Sequence, residues 1–147
     1  MARLFWLHDE CLTRPRDLNP EDRWVYIWDQ TYFNKQAWSL KRQVFVYETL
    51  CELADLGCEV YQADILEGLH RLLEQGCEEI LTPAAQDPIL SELIETAQQA
   101  IASLQLRSVD EWVSIDDPAP KRFFHYWKKV EKQLLSETQL TTHHRVR

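Results

Sequence analysis

The sequence predicts a single α/β domain in which five parallel strands form one sheet between two layers of helices. Short apolar runs rich in aromatic and β-branched residues alternate with longer stretches of helical periodicity, which is typical of buried parallel strands and their covering helices. A helix–glycine–strand junction occurs at Leu56-Gly57-Cys58 and again at Gln75-Gly76-Cys77. The length of 147 residues suits one hydrophobic core.

The first half of the chain predicts two strands and a long helix. Residues 4–7 and 24–28 are apolar runs that end in polar clusters, and the stretch between them contains prolines and predicts a loop. Residues 37–56 contain neither Gly nor Pro, and Gly57 suits the left-handed conformation just past a helix end. We expect an amphipathic helix whose apolar residues at helical spacing are Leu40, Val44, Tyr47, Leu50, Cys51 and Ala54.

The second half repeats the pattern of strand and helix. A third strand over residues 58–63 leads to Asp64, whose side chain is suited to cap a helix that ends at Gly76. A fourth strand follows over residues 79–82, and Asp87-Pro88 opens a helix that runs to about residue 104. Residues 106–113 predict the fifth strand, and an aromatic, basic helix closes the chain.

Right-handed crossovers between these strands predict a Rossmann-like, three-layer sandwich with strand order 3-2-1-4-5. In such sheets a ligand binds beyond the carboxyl ends of the strands, where the strand order reverses, here between strands 1 and 4. The polar residues that follow strands 1, 2 and 4 are therefore the candidate ligand-binding residues: His8, Asp9, Glu10, Asp29, Gln30, Thr82 and Gln86.

Charge and composition narrow the class of protein. The net charge is −8, but residues 121–147 hold seven Lys or Arg against two acidic residues, so we expect nucleic acid to bind only weakly and only through the C-terminal helix. No apolar stretch reaches the length of a membrane span, and we expect a soluble, cytoplasmic protein. The four cysteines form no C-x-x-C pair and fit reduced thiols of the core.

Motifs for catalysis and cofactor binding are absent from the sequence. It lacks G-x-G-x-x-G and the P-loop pattern, so the backbone has no glycine turn that closely approaches a pyrophosphate. His8, Asp9 and Glu10 suit either an acid/base cluster or a polar turn, and no nucleophile accompanies them. We predict no catalytic residue and no metal site, although His143-His144 suits either an adventitious metal contact or a disordered tail.

Aromatic and basic residues are interleaved in the last helix. This combination suits packing against the sheet, docking of a protein partner, or stacking on bases beside phosphates. Lys121, Arg122 and Lys129 belong to the basic set. The candidate partner-docking residues are Phe123, Phe124, Tyr126, Trp127 and Lys128.

Over roughly residues 3–135 the sequence resembles the N-terminal α/β domain of the DNA photolyase and cryptochrome family. Residues 45–53, Phe-Val-Tyr-Glu-Thr-Leu-Cys-Glu-Leu, are similar to the family's helix pattern Phe-Leu-x-Glu-Ser-Leu-x-Asp-Leu. Residues 5–12, 25–29, 81–88 and 123–128 resemble the first strand and turn, the second strand, the segment after strand 4 and the closing helix. We expect residues 1–135 to form this domain and residues 136–147 to form a basic C-terminal tail.

The resemblance implies a photolyase-like module related to DNA repair or light sensing. Family members continue into a helical domain that binds FAD, which this chain lacks, so we expect a non-catalytic module that binds a protein partner such as a separate flavin-domain chain. The family's domain can hold a folate, flavin or deazaflavin antenna. Ile89 replaces the folate-binding carboxylate, and His8 and Cys11 replace arginines of the first turn, so we expect no cofactor. The alternative is a protein that binds a nucleotide or antenna chromophore.

Overall fold

The structure is a computed structural model that describes residues 2–108 and 123–142. The chain divides into two compact units, Met1–Val109 and Asp110–Arg147. The first unit contains the sheet and its helices. The described part of the second unit is a single helix.

Five strands form one all-parallel sheet in the order β3-β2-β1-β4-β5, and helices flank it. This confirms the α/β fold and the strand order that the sequence predicts. The strands are β1 (Arg3–Leu7), β2 (Arg23–Trp28), β3 (Glu59–Gln62), β4 (Glu79–Pro83) and β5 (Leu104–Arg107).

Side-chain caps set the start of all four helices described in the first unit. Asp29, Ser39, Asp64 and Asp87 each accept a hydrogen bond from a backbone N–H in the first turn of the helix that follows. The helices are α1 (Gln30–Lys35), α2 (Leu40–Asp55), α3 (Ile65–Glu74), α4 (Pro88–Ala100) and, in the second unit, α5 (Phe123–Thr142).

The predicted helix over residues 37–56 is wrong at its start. Helix α1 is a separate turn of helix that the sequence did not reveal, and Ala37 follows it with a left-handed φ of 51°. Ser39 then caps α2 by accepting a hydrogen bond from the N–H of Arg42 at 3.3 Å. The break therefore comes from a left-handed alanine, a residue type that carries no turn signal.

The predicted boundary between α4 and β5 also needs correction. Helix α4 ends at Ala100 rather than near residue 104, and Ile101 is buried in extended conformation. The N–H of Ile80 donates to the carbonyl of Ser103 at 3.0 Å, so pairing with β4 begins before residue 106. Residues 109–113 of the predicted strand lie outside the described residues.

The core is built from side chains on both faces of the sheet and from one buried stripe of each long helix. Trp6, Phe33, Leu69 and Ile80 are among its fully buried members. Burial of apolar side chains of this size stabilises a fold by about 1.5–3 kcal/mol each. The structure corrects the expectation that all four cysteines are core thiols: Cys58 and Cys77 are buried, Cys11 is half-buried and Cys51 is exposed.

The loop between β1 and β2 is held to the sheet by charged side chains. Asp22 accepts hydrogen bonds from the backbone N–H of Arg3 at 3.1 Å and from its Nε at 3.1 Å. Asp17 pairs with Arg107 of β5 at 2.9 Å. Arg3 and Arg107 both lie over the ring of Phe5, at 5.0 and 5.2 Å from its centroid. These contacts fix the loop although it contains no helix.

The buried face of α2 differs from the predicted one. Val46, Leu50 and Leu53 are its buried residues. Of the six residues expected on the apolar face, Leu50 alone is buried, and the other five are exposed: Leu40, Val44, Tyr47, Cys51 and Ala54.

Candidate functional site

His8 lies at the carboxyl end of β1 and is buried, with 3% of its surface exposed. Its Nε2 is 2.8 Å from the carbonyl oxygen of Pro83 at the end of β4. Its Nδ1 accepts a hydrogen bond from the N–H of Glu10 at 3.3 Å. The tautomer with hydrogen on Nε2 satisfies both contacts, so the ring bridges β1 and β4 through protein atoms.

Glu10 closes the gap between strands 1 and 4. Its two carboxylate oxygens accept hydrogen bonds from the backbone N–H groups of Gln86 and Asp87, both at 2.7 Å. A carboxylate that accepts two N–H groups in this way fixes the loop after β4 to the loop after β1. Thr82 is fully buried, and its hydroxyl donates to the carbonyl of Trp6 at 3.0 Å.

Asp9 belongs to a chain of polar contacts that runs through α1. It accepts a hydrogen bond from the Tyr32 hydroxyl at 2.7 Å. Burial, reinforced by this bond to Asp9, raises the pKa of Tyr32 above the usual tyrosine range. The side-chain N–H group of Gln36 donates to Tyr32 at 3.0 Å and to Asp87 at 2.7 Å. The chain thus connects the loop after β1, through α1, to the start of α4.

Asp29 joins three elements at the end of β2. One of its carboxylate oxygens accepts from the N–H groups of Thr31 and Tyr32 at 2.9 and 3.2 Å, which caps α1. The other accepts from the N–H of Ile65 at 3.1 Å, in the first turn of α3. The side chain of Gln30, by contrast, is exposed and makes contacts at 3.3 and 3.4 Å with Asn34 and Gln43.

The predicted ligand-binding residues therefore lie along one edge of the sheet, as expected from parallel strands. The hydrogen bonds described above join these residues to the strand ends, loops and helix starts of the same edge. The crevice between strands 1 and 4 is bridged by His8, Glu10 and Thr82. These side chains hold the carboxyl edge together. The nearby cleft lies beside the edge, among helices, and not between strands 1 and 4.

A cleft of about 210 Å³ lies beside this edge, among α1, α3 and α4. Asp29 and Asp64, the caps of α1 and α3, line it together with Lys35. Its apolar lining comes from Ile65, Leu66, Ile89 and Leu93, and Glu92 stands on the α4 side. The arrangement combines an apolar surface with both signs of charge.

Sequence reasoning missed the residues of α1 and their contacts. Tyr32, Lys35 and Gln36 were not assigned any role, because a six-residue helix is too short to show a period. The available signal was Asp29, which is a good capping residue two positions before Thr31. Asp87 was assigned only as a helix start, but its pKa is lowered, first by the backbone hydrogen bond from Leu90 and then by Gln36.

The start of α5 carries a cluster of exposed aromatic side chains. Phe123 is 67% exposed and Phe124 75%. The rings of Phe123 and Trp127 stack at 6.3 Å with an interplanar angle of 15°, and Phe123 meets Phe124 edge-on at 5.6 Å. Tyr126 is half-buried and Lys128 is exposed. We call Phe123, Phe124 and Trp127 the α5 aromatic cluster.

Metal-binding clusters and membrane-spanning helices are both absent from the part of the chain that the structure describes. Within residues 2–108 and 123–142, His, Cys, Asp and Glu side chains form no group of three or more that is placed to hold a metal ion. Within the same residues, no helix combines the length and apolar character of a membrane span. The pair His143-His144 lies outside them.

Comparisons of the chain with family models, curated proteins and solved structures find no match. The relationship to photolyases and cryptochromes therefore stays a prediction from the sequence.

Proposed function

We propose that the protein is a non-catalytic binding module whose α5 aromatic cluster docks a partner protein. The observation that carries the proposal is the exposure of Phe123 and Phe124. Among the large apolar side chains of the described residues, only Leu40 is more exposed than these two rings. Solvent exposure of neighbouring aromatic rings costs free energy unless a partner covers them.

The composition of the cluster fits a protein partner. Aromatic side chains are the residue types that most often dominate binding energy at protein interfaces. The stacking of Phe123 on Trp127 orders the rings before binding, which lowers the entropy lost on association. Lys128 beside them supplies a polar rim.

The class of partner follows from the resemblance to photolyases. A separately encoded flavin-domain chain is the partner that the resemblance implies, and the module would then act in DNA repair or light sensing. We place this function in the cytoplasm, where free thiols such as the exposed Cys51 stay reduced.

A pull-down from native extract with matched variants tests the proposal. The wild-type protein is expected to retain a stoichiometric partner, and Phe124→Asp is expected to lose it, because a carboxylate in the interface centre remains unpaired. The control is Leu135→Asp on the same helix, where 54% of the side chain is exposed. Recovery of no stoichiometric partner, or equal retention by Phe124→Asp, contradicts the proposal.

The cleft beside the carboxyl edge supports a second candidate, the binding of a small molecule such as a nucleotide or a chromophore. Its volume of about 210 Å³ is below the roughly 300–1,000 Å³ of most ligand pockets, which is why we rank it second. Absorbance of the purified protein detects a retained flavin, folate or deazaflavin. For a colourless nucleotide, a thermal-shift titration with ATP should raise the melting temperature of the wild type and not of Lys35→Glu.

A further inference from the structure

Helix α2 carries a second apolar stripe that does not face the sheet. Leu40, Val44, Tyr47, Cys51 and Ala54 are separated by steps of four, three, four and three residues. This is the spacing of a helix seam that packs against another helix. The stripe is exposed: 77% of Leu40, 45% of Val44 and 59% of Tyr47 are accessible to solvent.

The stripe borders the outer edge of the sheet. A groove of about 430 Å³ lies between α2 and β3, lined by Trp28, Tyr47, Cys51, Ala54, Val60 and Gln62 among others. Trp28 of β2 meets Tyr47 edge-on at 6.2 Å within this groove. Because the groove is lined by residues of both α2 and β3, the helix stripe and the edge strand form one continuous surface. We call it the α2–β3 surface.

Strand β3 is a four-residue edge strand that pairs with β2 on one side. The N–H of Ala63 donates to the carbonyl of Trp28 on β2 at 3.2 Å, so alternation along the strand turns the N–H and C=O groups of Val60 and Gln62 outward. Edge strands are commonly guarded by lysine, proline or an unpaired charge. The charge on β3 is Glu59, and Arg23 neutralises it at 2.6 Å.

We propose that the α2–β3 surface binds a second copy of this chain about a twofold axis. Antiparallel pairing of the two β3 strands would extend the sheet and satisfy the outward groups of Val60 and Gln62. Neighbouring strands lie about 4.8 Å apart, and a crossover helix lies over the gap between the strands that it joins. The two α2 helices would therefore lie about 10 Å apart, which is the distance of packed helices.

The order of charges along α2 argues for a second copy in particular. Lys41 and Arg42 lie in its first turn, and Glu52 and Asp55 near its end, with no acid in the first turn and no base in the last. This order opposes the helix dipole, so it weakens the isolated helix. In the twofold arrangement the helices run antiparallel, and Lys41 at the start of each helix approaches Asp55 at the end of the other. Arg42 lies instead over the rings of Trp38 and Phe45.

The molecular mass in solution gives the first test, by sedimentation equilibrium over about 1–200 μM protein. We expect a reversible dimer of twice the 17.5 kDa chain. Tyr47→Glu should raise the dissociation constant at least about tenfold, because it buries a carboxylate in the seam. Phe45→Glu is the matched control. Phe45 is 56% exposed on the same helix but does not belong to the exposed apolar stripe. The dissociation constant of this variant should therefore differ from that of the wild type by less than about twofold.

Two further variants test the geometry. Val60→Pro removes an N–H that faces away from β2, so dimerisation should be lost. The melting temperature should match that of the wild type at protein concentrations where the wild type is monomeric. Lys41→Glu should weaken the dimer, and adding Asp55→Lys should restore it, since only antiparallel copies exchange these charges. A monomer throughout the concentration range, an open-ended oligomer, a dimer indifferent to Tyr47→Glu, or no rescue by the charge swap overturns the proposal.

Discussion

At the scale of single residues, the most strongly perturbed carboxylate of the described residues is structural. Asp22 anchors the loop between β1 and β2, and its side chain is fully buried beneath Arg3. The hydrogen bonds from the Arg3 guanidinium, together with the backbone N–H groups of Asn19 and Arg3, lower the pKa of Asp22 to about 2. The folded state thus favours the charged carboxylate over the protonated one.

The low pKa of Asp22 predicts a defined loss of stability in acid. Its stabilising effect should be fully present above the ordinary aspartate pKa of about 4 and should be lost as the pH falls through about 2. We expect Asp22→Asn to lower the free energy of unfolding by about 1–2 kcal/mol at pH 7, with the difference from wild type shrinking steadily from about pH 4 to pH 2. Urea denaturation at several pH values measures this.

The control for Asp22 is Glu95→Gln, an exposed carboxylate on α4. Its stability should follow that of the wild type within about 0.5 kcal/mol at every pH. A difference between Asp22→Asn and wild type that persists unchanged at pH 2 contradicts the assignment, because the lost interaction would then not depend on the charge.

At the scale of elements, Asp29 connects the end of β2 to the starts of two helices. Asp29→Ala leaves the N–H groups of Tyr32 and Ile65 buried without their acceptor, and should cost about 2–3 kcal/mol of stability. Asp29→Asn keeps one acceptor oxygen for α1 but replaces the other with an NH₂ group, which cannot accept from Ile65. It should cost about 1–2 kcal/mol, between wild type and Asp29→Ala.

Chemical denaturation of the two variants at neutral pH checks this order. Equal losses for Asp29→Asn and Asp29→Ala would mean that the contact to Ile65 carries the whole effect. Amide hydrogen exchange separates the two ends, because Asp29→Asn should accelerate exchange at Ile65 more than at Thr31. Stability unchanged in Asp29→Ala contradicts a joining role.

The elements themselves were largely predictable from the sequence, for physical reasons. Strands buried on both faces are apolar throughout, as in β1, and the joint before β3 needs a residue with φ near +101°, which Gly57 supplies. Helix α1 was not predictable, because it is six residues long and its end depends on a left-handed alanine.

Helix α2 shows the limit of periodicity as a guide. It carries two apolar stripes, and both have helical spacing. The buried stripe runs through Val46, Leu50 and Leu53, and the exposed stripe runs from Leu40 to Ala54. The pattern in one chain does not say which stripe faces the sheet. The packing of the helix against the sheet decides it, and in the folded protein Val46, Leu50 and Leu53 are the buried residues. The candidate site has the same limit: the sequence predicts that polar residues such as His8 and Glu10 lie at the carboxyl edge, but it reveals neither their mutual hydrogen bonds nor the part played by Tyr32 and Gln36.

At the scale of the whole molecule, the chain is acidic overall but basic at its end. The net charge is −8, yet seven of its sixteen Lys and Arg residues lie within positions 121–147. Long-range repulsion from an acidic protein disfavours approach to a phosphate backbone. The basic residues beside the α5 aromatic cluster therefore have two possible roles, as the rim of a protein interface or as phosphate contacts, and these differ in salt dependence.

Salt dependence separates the two roles through counterion release. Each phosphate neutralised on single-stranded DNA contributes a slope of about −0.7 to log Kobs against log salt. We expect a slope near zero for the wild type, because in the docking proposal these basic residues contact no phosphate. The slope should stay the same when Lys121, Arg122, Lys128 and Lys129 are all replaced by Gln. Fluorescence anisotropy with a labelled oligonucleotide at 50–500 mM salt, roughly the range over which such slopes are measured, makes the comparison. A wild-type slope near −2 or steeper that the quadruple variant abolishes, at unchanged melting temperature, would instead establish α5 as a nucleic-acid contact and remove the support for a protein partner at this helix.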